Sequence, residues 1–372
     1  MRIKVKNQRI IFIGSEVLNQ SAGTPRQIRN IYSLMKSGAQ VIILALSSRG
    51  WVEVEELSTF KSPQFGQTQN FGNSKTRKLM RFFKQDLMLE SLTPTSLGLY
   101  FLILRVCLKH RISHIYISSP PFPIFSIFLK LLGVKYIIDM RDPWGLHPTL
   151  ARFTWLRRKV ERVVLGGAAE LTVATNFMSK EIERVYNITS ETVYNKLTKN
   201  EFDLSDPTTS ELLTLDTKFI ISAGDSSEKC LLYCGTVPDG FYDIHTIMTV
   251  LRDVLLADLN IKLFFIGTGI EFSILEQLAN TGRVVYLDRV NRKTAIIYVK
   301  LADEVLFFGH KFDGYLTTKL FEFFYLKKKI IPINLIETYE ASNLILEYGQ
   351  SLSFIDTADK YFEYTKTNCV KE

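Results

Sequence analysis

The segment Thr317-Thr318-Lys319-Leu320-Phe321-Glu322 places an ammonium and a carboxylate three residues apart. On a helix such a pair shares one face, one turn apart. Either threonine can cap the helix start. The segment lies between the strand-like runs EVLFF and KIIPI, so the helix start is expected at the C-terminal edge of a sheet. A helix dipole and its unsatisfied N–H groups there favour a phosphate by ~0.3–1 kcal/mol, and by ~2 kcal/mol where partly buried. Lys319 would add its charge to that phosphate, and Glu322, a turn deeper, can accept hydrogen bonds from a ribose diol. The plainer alternative is a surface ion pair worth about a few tenths of a kcal/mol.

Other spacings carry weaker chemistry. After the first strand come Gly14-Ser15 and then Ser21-Ala22-Gly23-Thr24-Pro25-Arg26. These are residues that let a loop approach a ligand and open a helix with free N–H groups, or simply make a β-to-α turn. Gly267-Thr268-Gly269 follows KLFFI, with Asp288 about twenty residues on, as in a dinucleotide fingerprint. Phe272 stands where the third glycine belongs. Ser118-Ser119-Pro120-Pro121-Phe122 and Asp139-Met140-Arg141-Asp142-Pro143-Trp144 both follow strands. Arg141 could clamp a phosphate or pair with Asp142, and Trp144 could be a sugar platform or packing. Lys75, Arg77, Lys78, Arg81 and Lys84 carry five positive charges with no acid, interleaved with Leu79, Met80, Phe82 and Phe83. A basic amphipathic helix of this kind suits an anionic membrane surface, a solvated face or another partner. No nucleic-acid-binding signature accompanies it.

Cys230 and Cys234 are four apart on KCLLYCG and would share one face of a buried strand, while Cys107 and Cys369 are isolated. None of His110, His114, His147, His245 and His310 forms a metal spacing or a triad. Gly-x-Ser-x-Gly and Walker loops are absent, so hydrolase and kinase readings are poor.

The elements that must position these residues follow from the apolar runs. Strands are expected at Arg9–Gly14, Gln40–Leu46, His114–Ser118, Lys135–Met140 and Glu170–Ala174. After a gap, five more are expected at Lys229–Gly235, Lys262–Gly267, Arg283–Leu287, Glu304–Phe308 and Lys329–Ile333. Several are apolar on both faces, as parallel strands covered by helices are. Thr24–Ser37 and Thr317–Leu326 have helical spacing. Alternating β and α segments argue for an α/β protein with doubly wound sheets. With 372 residues, two domains are expected. The polar stretch 196–228 reads as the linker between an N-terminal domain, 1–195, and a C-terminal domain, 229–350, with a tail at 351–372. Each half would then hold about five strands, and ligand would bind in a cleft between the strand ends.

Composition excludes several classes. Hydrophobic residues at 46% and charged residues at 23% exclude disorder, and four cysteines exclude a disulfide scaffold. The net charge of +8 suits phosphate-bearing ligands, nucleic acid or an anionic membrane. The short apolar run Ile10–Ile13 reads as a first strand rather than a leader, and no apolar stretch reaches the roughly 18–20 residues of a membrane span. A cytoplasmic protein is expected.

In order, SAGTPRQ, SSPPF, IIDMRDPW, LTVATNFMSKEI, VYN ending at Asn195, LLYCGTV, LFFIGTG and TTKLFEFF–KKKIIPI resemble a glycosyltransferase family 4-like protein of the GT-B fold. The resemblance spans about Arg9 to Ile333 and is most specific at RDPW and Lys-Leu-Phe-Glu. It implies two Rossmann-like domains facing a cleft. A glycan or lipid-linked acceptor would bind mainly in the first, at Gly14, Gly23, Thr24 and Arg141. A nucleotide-diphosphate sugar would bind in the second, at Gly235, Gly267, Gly269, Arg289, Thr317, Thr318, Lys319 and Glu322. The implied activity is retaining, metal-independent sugar transfer with no cofactor, in cell-surface polysaccharide assembly. Lys319, Glu322 and Asp142 are the implied catalytic residues, and no nucleic-acid partner is implied. The membrane-facing partner would be reached through Lys75 to Lys84, at the inner face of the cell membrane.

Glu322 matches the second glutamate of the family's Glu-x7-Glu motif, but Gly314 occupies the position of the first, with Asp313 one place early. The stretch Thr236 to Asp243 holds no cation where many members clamp the diphosphate, leaving Arg289 and Arg292 as substitutes. The tail after Phe354 is short for the usual crossing helix. A non-catalytic binding subunit, a nucleotide-sugar epimerase of the same fold and a dinucleotide oxidoreductase are the competing readings.

Overall fold

Runs that are apolar at successive positions cannot leave either face in water, and this decides the architecture. β1 (Arg9–Gly14), β4 (His114–Ser119) and β5 (Lys135–Met140) are each buried at every position after the first or second. A computed structural model describes residues 8–14, 24–47, 50–54, 94–119, 126–147, 154–196, 212, 215–225, 227–237, 240–268, 273–350 and 355–368. The chain divides into two compact units, Met1–Asn195 and Lys196–Glu372.

In the first unit, β2 (Gln40–Ser47), β3 (Gly50–Val54), β6 (Glu170–Val173) and β7 (Glu191–Thr192) complete a seven-stranded sheet of order β3-β2-β1-β4-β5-β6-β7. All pairs are parallel except β2–β3. The expectation of about five strands per half is corrected here. β3 is a short antiparallel edge ribbon and β7 only two residues long, and neither has the apolar run that marks a central strand. Helix α1 (Thr24–Lys36) covers one face, packing Ile31 and Leu34 on Phe12, Tyr116 and Ile137. The other face is covered by α2 (Pro94–His110), α3 (Ser126–Leu131), α4 (Thr154–Gly166) and α5 (Asn176–Tyr186), which share a single core.

In the second unit, β8 (Lys229–Thr236), β9 (Ile261–Thr268), β10 (Val284–Leu287), β11 (Glu304–Phe308) and β12 (Lys329–Ile333) form an all-parallel sheet of order β10-β9-β8-β11-β12. The helices are α6 (Thr217–Gly224), α7 (Ile244–Ala257), α8 (Glu276–Ala279), α9 (Arg292–Leu301), α10 (Thr318–Tyr325), α11 (Glu340–Glu347) and α12 (Ala358–Asn368). Helix α6 lies within the polar 196–228 stretch. Asp216 caps it, and Phe219 is buried edge-on against Phe264 and Tyr298. In α12, Tyr361 and Tyr364 join the core that α7 builds on the sheet, and the Tyr364 hydroxyl donates to the Ile330 carbonyl at 3.0 Å.

At the N-terminal edge of this sheet, buried Glu304 on β11 accepts Lys229 of β8 at 2.9 Å and Lys329 of β12 at 2.8 Å. One carboxylate thus ties the first residues of three adjacent strands. At the opposite edge the strand order reverses between β8 and β11. Open α/β sheets bind ligands outside the carboxyl ends of the strands at such a reversal. The first unit has its own reversal between β1 and β4.

Candidate functional site

In the second unit, α10 is rolled by four buried side chains, Leu320, Phe321, Phe323 and Phe324. That roll also turns Glu322 inward, leaving it 2% exposed. Its Oε2 accepts Lys319 Nζ at 2.8 Å, and its Oε1 faces Arg292 Nη2 at 3.2 Å. Arg292 is the first residue of α9, and the Asn291 side chain caps that helix by accepting Thr294 N–H at 2.9 Å. One buried carboxylate therefore sits between two cations, each about a quarter exposed: 24% for Lys319 and 25% for Arg292.

Lys319 also lies against Cys234 near the end of β8, although its own helix follows β11. The ammonium is thus held at the strand-order reversal. Burial would lower the pKa of Lys319, but the Glu322 carboxylate beside it holds the charge, and the net shift is upward. Lys319 keeps its charge. Burial pushes the Cys234 thiol up despite the nearby ammonium, so this sulfur is a neutral wall rather than a nucleophile. The N-cap Thr317 is extended and its hydroxyl makes no capping bond, while the Leu320 N–H donates to the Thr317 carbonyl at 3.3 Å.

The glycines beneath this group have a packing role of their own. Gly235 pairs with Gly267 across β8 and β9. Gly267 has φ +142°, and a Cβ there would lie 1.8 Å from the Gly235 carbonyl oxygen. Gly269 lies outside the described residues. Arg289 is exposed on the loop after β10, and it is Arg292 that reaches Glu322. Asp313 Oδ1 accepts the N–H groups of Gly314 at 2.6 Å and Glu340 at 2.9 Å. Its carboxylate is thereby spent on shaping a turn and starting α11. The cation-free stretch after β8 is held by aromatic rings instead. Tyr242 bonds His310 Nε2 at 2.5 Å, and Phe241 lies edge-on to His310, Phe312 and Tyr315. Burial lowers His310 to about 4, so it is neutral near pH 7.

In the first unit, Gly14 ends β1 and Thr24 opens α1, while Gly23 lies outside the described residues. Arg141 donates from Nε to the Ser119 carbonyl at 3.3 Å, tying the end of β5 to that of β4. Asp142 is exposed. The buried carboxylate of this region is Asp139, which receives an ion pair from Arg26, a bond from Asn30 at 3.0 Å and one from Thr172 at 2.8 Å. Arg26 also donates to Asn195 Oδ1 at 2.9 Å, which gathers α1, β5, β6 and the end of the unit on one node. Trp144 is packed at 4% exposure rather than displayed. Its backbone N–H donates at 2.8 Å to Glu161, which Gly145 N–H and the Tyr186 hydroxyl also engage. Burial raises the Glu161 pKa against those three donors.

The basic segment 75–84 and Cys369 lie outside the described residues. Among the described residues no three His, Cys, Asp or Glu side chains are grouped to hold a metal ion, and no helix is long and apolar enough to cross a membrane.

Pattern reading singled out Lys319 and Glu322 and offered Arg292, thirty residues upstream, as one of two substitute cations, but nothing local showed that it meets Glu322. Cys234 reads as a buried strand residue, and no local signal marks its contact with Lys319.

No family model matches the sequence, and no curated protein is similar to it in sequence. Solved structures of similar fold do exist. HepE from Anabaena, in complex with UDP and glucose, superposes with a TM-score of 0.58 at 11% identity over 98% of this chain and 90% of its own. WaaG, a glycosyltransferase involved in lipopolysaccharide biosynthesis, gives 0.56 at 12% identity over 97% and 90%. The UDP-GlcNAc 2-epimerase from Methanocaldococcus jannaschii gives 0.53 at 11% identity over 97% and 92%.

Proposed function

The chain has the GT-B fold, as the glycosyltransferases among those structures do, and we propose that it is a glycosyltransferase taking a nucleotide-diphosphate sugar as donor. The observation that carries the reading is the carboxylate–two-cation group of Glu322, Lys319 and Arg292 at the strand-order reversal of the second unit, beside the uncapped start of α10. A nucleoside diphosphate needs both signs of partner there. Its phosphates are matched by Lys319, Arg292 and the N-terminal end of α10, and its ribose diol by the remaining lone pairs of Glu322. Arg292 takes the part of the cation missing after Gly235. As the sugar–phosphate bond breaks, negative charge grows on the departing diphosphate, and positive groups fixed in advance stabilise it. In the retaining, metal-independent reading the acceptor hydroxyl attacks on the face the diphosphate leaves. No protein nucleophile is then needed, and Cys234 is not one. Acceptor contacts fall to the first unit, around Gly14, Gly23, Thr24, Arg141 and Asp142. The acceptor is a glycan or lipid-linked sugar of a cell-surface polysaccharide, supported by the WaaG likeness.

An epimerase is the second reading, favoured by the equally complete likeness to a UDP-GlcNAc 2-epimerase. Thermal denaturation with UDP, GDP, ADP and CMP tests donor binding. A nucleotide at 100 times its dissociation constant adds about 2.7 kcal/mol of stability. One responding diphosphate names the base, while no response from a folded protein refutes the donor site. Incubation of the matching nucleotide-sugar alone then separates the two enzymes, because only an epimerase converts it without acceptor.

A further inference from the structure

Among the described residues, the outer face of the helical layer on the first unit carries a run of large apolar side chains exposed to water. Leu99, Ile103 and Val106 of α2 point into the core, and Phe101, Leu104 and Leu108 occupy the opposite side of the same helix at 73%, 41% and 77% exposure. This 17-residue helix thus has large apolar side chains on both its core face and its water face, at i, i+3 and i+7 on the latter, and an apolar stripe in water gains by being covered. The pattern continues on the neighbouring helices of the same core. Phe128 on α3 is 65% exposed, and on α4 Trp155 and Val163 are 63% and 58% exposed.

On α2, α3 and α4 the exposed charge has one sign, the acids Glu181 and Glu183 lying on the neighbouring α5. Arg105 and Lys109 flank the apolar stripe of α2, and Lys130 lies on α3. On α4, Arg158, Lys159 and Arg162 are exposed, and Lys159 Nζ lies 5.3 Å from the centre of the Trp155 ring. The sole acid in these three helices is Glu161, which is fully buried beneath Trp144 and Gly145.

We propose that the outer face of α2, α3 and α4 is a membrane-docking surface that rests on an anionic lipid bilayer. Its apolar side chains enter the interface, and its cations pair with lipid phosphates. Both properties point to lipid. Exposed Phe, Leu and Trp gain by leaving water, and cations without acids gain next to an anionic surface. A second copy of this chain fits badly, since a two-fold contact would set this basic face against itself. The helices do not span: α2 carries Arg105 and Lys109 near its end and is too short. The face is made entirely of described residues, distinct from segment 75–84.

The test is co-sedimentation of the full chain with vesicles of phosphatidylcholine alone and of phosphatidylcholine mixed with phosphatidylglycerol. No sugar donor is present, so the result stands apart from the transferase reading. Binding is expected on the mixed vesicles, weakening as salt rises. Lys130→Gln and Lys159→Gln should each reduce partitioning about fivefold, the equivalent of one basic residue at an anionic surface. Phe101→Ser with Leu108→Ser should abolish binding while the melting temperature is unchanged, because both side chains already face water. A blue shift of tryptophan emission on vesicle addition should be lost in Trp155→Phe, which keeps Trp51 and Trp144. Failure of the wild type to bind the mixed vesicles overturns the proposal, as does undiminished binding by the Phe101→Ser/Leu108→Ser variant. A wild-type dimer that this double substitution dissociates, without vesicle binding, would assign the face to a second copy instead.

Discussion

Replacing Glu322 by alanine removes the carboxylate that lies between Lys319 and Arg292. The Glu322 side chain is 3% exposed, and the two cations are 24% and 25% exposed. Stripping the partner from a fully buried ion costs about 3–5 kcal/mol. Each cation keeps some of its surface in water, so solvent screening brings the expected loss to about 2–3 kcal/mol. In a unit of this size 1 kcal/mol moves the melting temperature by about 2–4 °C, so the second unit should melt roughly 5–10 °C lower. The variant also exposes two cations to each other, which makes an anion site. Inorganic diphosphate should therefore stabilise Glu322→Ala more than the wild type, while nucleotide affinity falls about 10- to 100-fold through loss of charged hydrogen bonds to the ribose. Calorimetric melting with and without diphosphate, and titration with the nucleotide, read the two effects separately. A variant that melts within about 2 °C of the wild type, gains nothing extra from diphosphate and binds nucleotide unchanged would refute the assignment of these three residues to one electrostatic unit.

Burial holds His310 at about 4 in the folded protein against 6.5 as its ordinary value, so the native state binds fewer protons than the unfolded one. Stability is then complete above pH ~6.5 and declines as pH falls toward 4, by about 3 kcal/mol in all. His310→Gln should flatten that decline in the second unit's urea midpoints. His147, also held at about 4, remains as the acid-sensitive group of the first unit. Asp139→Ala leaves the buried Arg26 guanidinium without its carboxylate and should cost the first unit about 3–5 kcal/mol, whereas Arg26→Met with Asp139→Leu should cost clearly less. Paired melting curves decide between these outcomes.

The parallel strands were the most legible part of the fold. KCLLYCG and EVLFF are apolar at successive positions and can only be covered from both sides. The strands left out, β3 and β7, carry no such run, because an edge ribbon and a two-residue extension need little burial. The Lys319–Glu322 pair was legible because both residues lie on one helix turn. Arg292 could be offered from the sequence as a substitute cation, but its pairing with Glu322 and the contact of Cys234 with Lys319 were not legible, since those contacts exist only once β8, α9 and α10 are packed together. The same holds for Arg26 and Asp139, 113 positions apart. Asp313 illustrates a different limit. It stands one place before the position of the motif's first glutamate, but a carboxylate beside a turn is also the natural acceptor for stray amides, and here it accepts two of them.

Glu304, gripped by Lys229 and Lys329, has the same composition as the Glu322 group: one buried acid held by two bases, at the far end of the same β8–β11 axis. There it has no glycine turn and no helix start to serve, so it is a built-in control for the upper group. It also divides labour along the sheet. Three strands are stapled at their entry, and the loops at their exit are relieved of keeping them in register. Such a scaffold can exchange exit loops without unzipping, so, under the proposed transferase function, altered donor preference should be sought by grafting the loops after β8, β10 and β11.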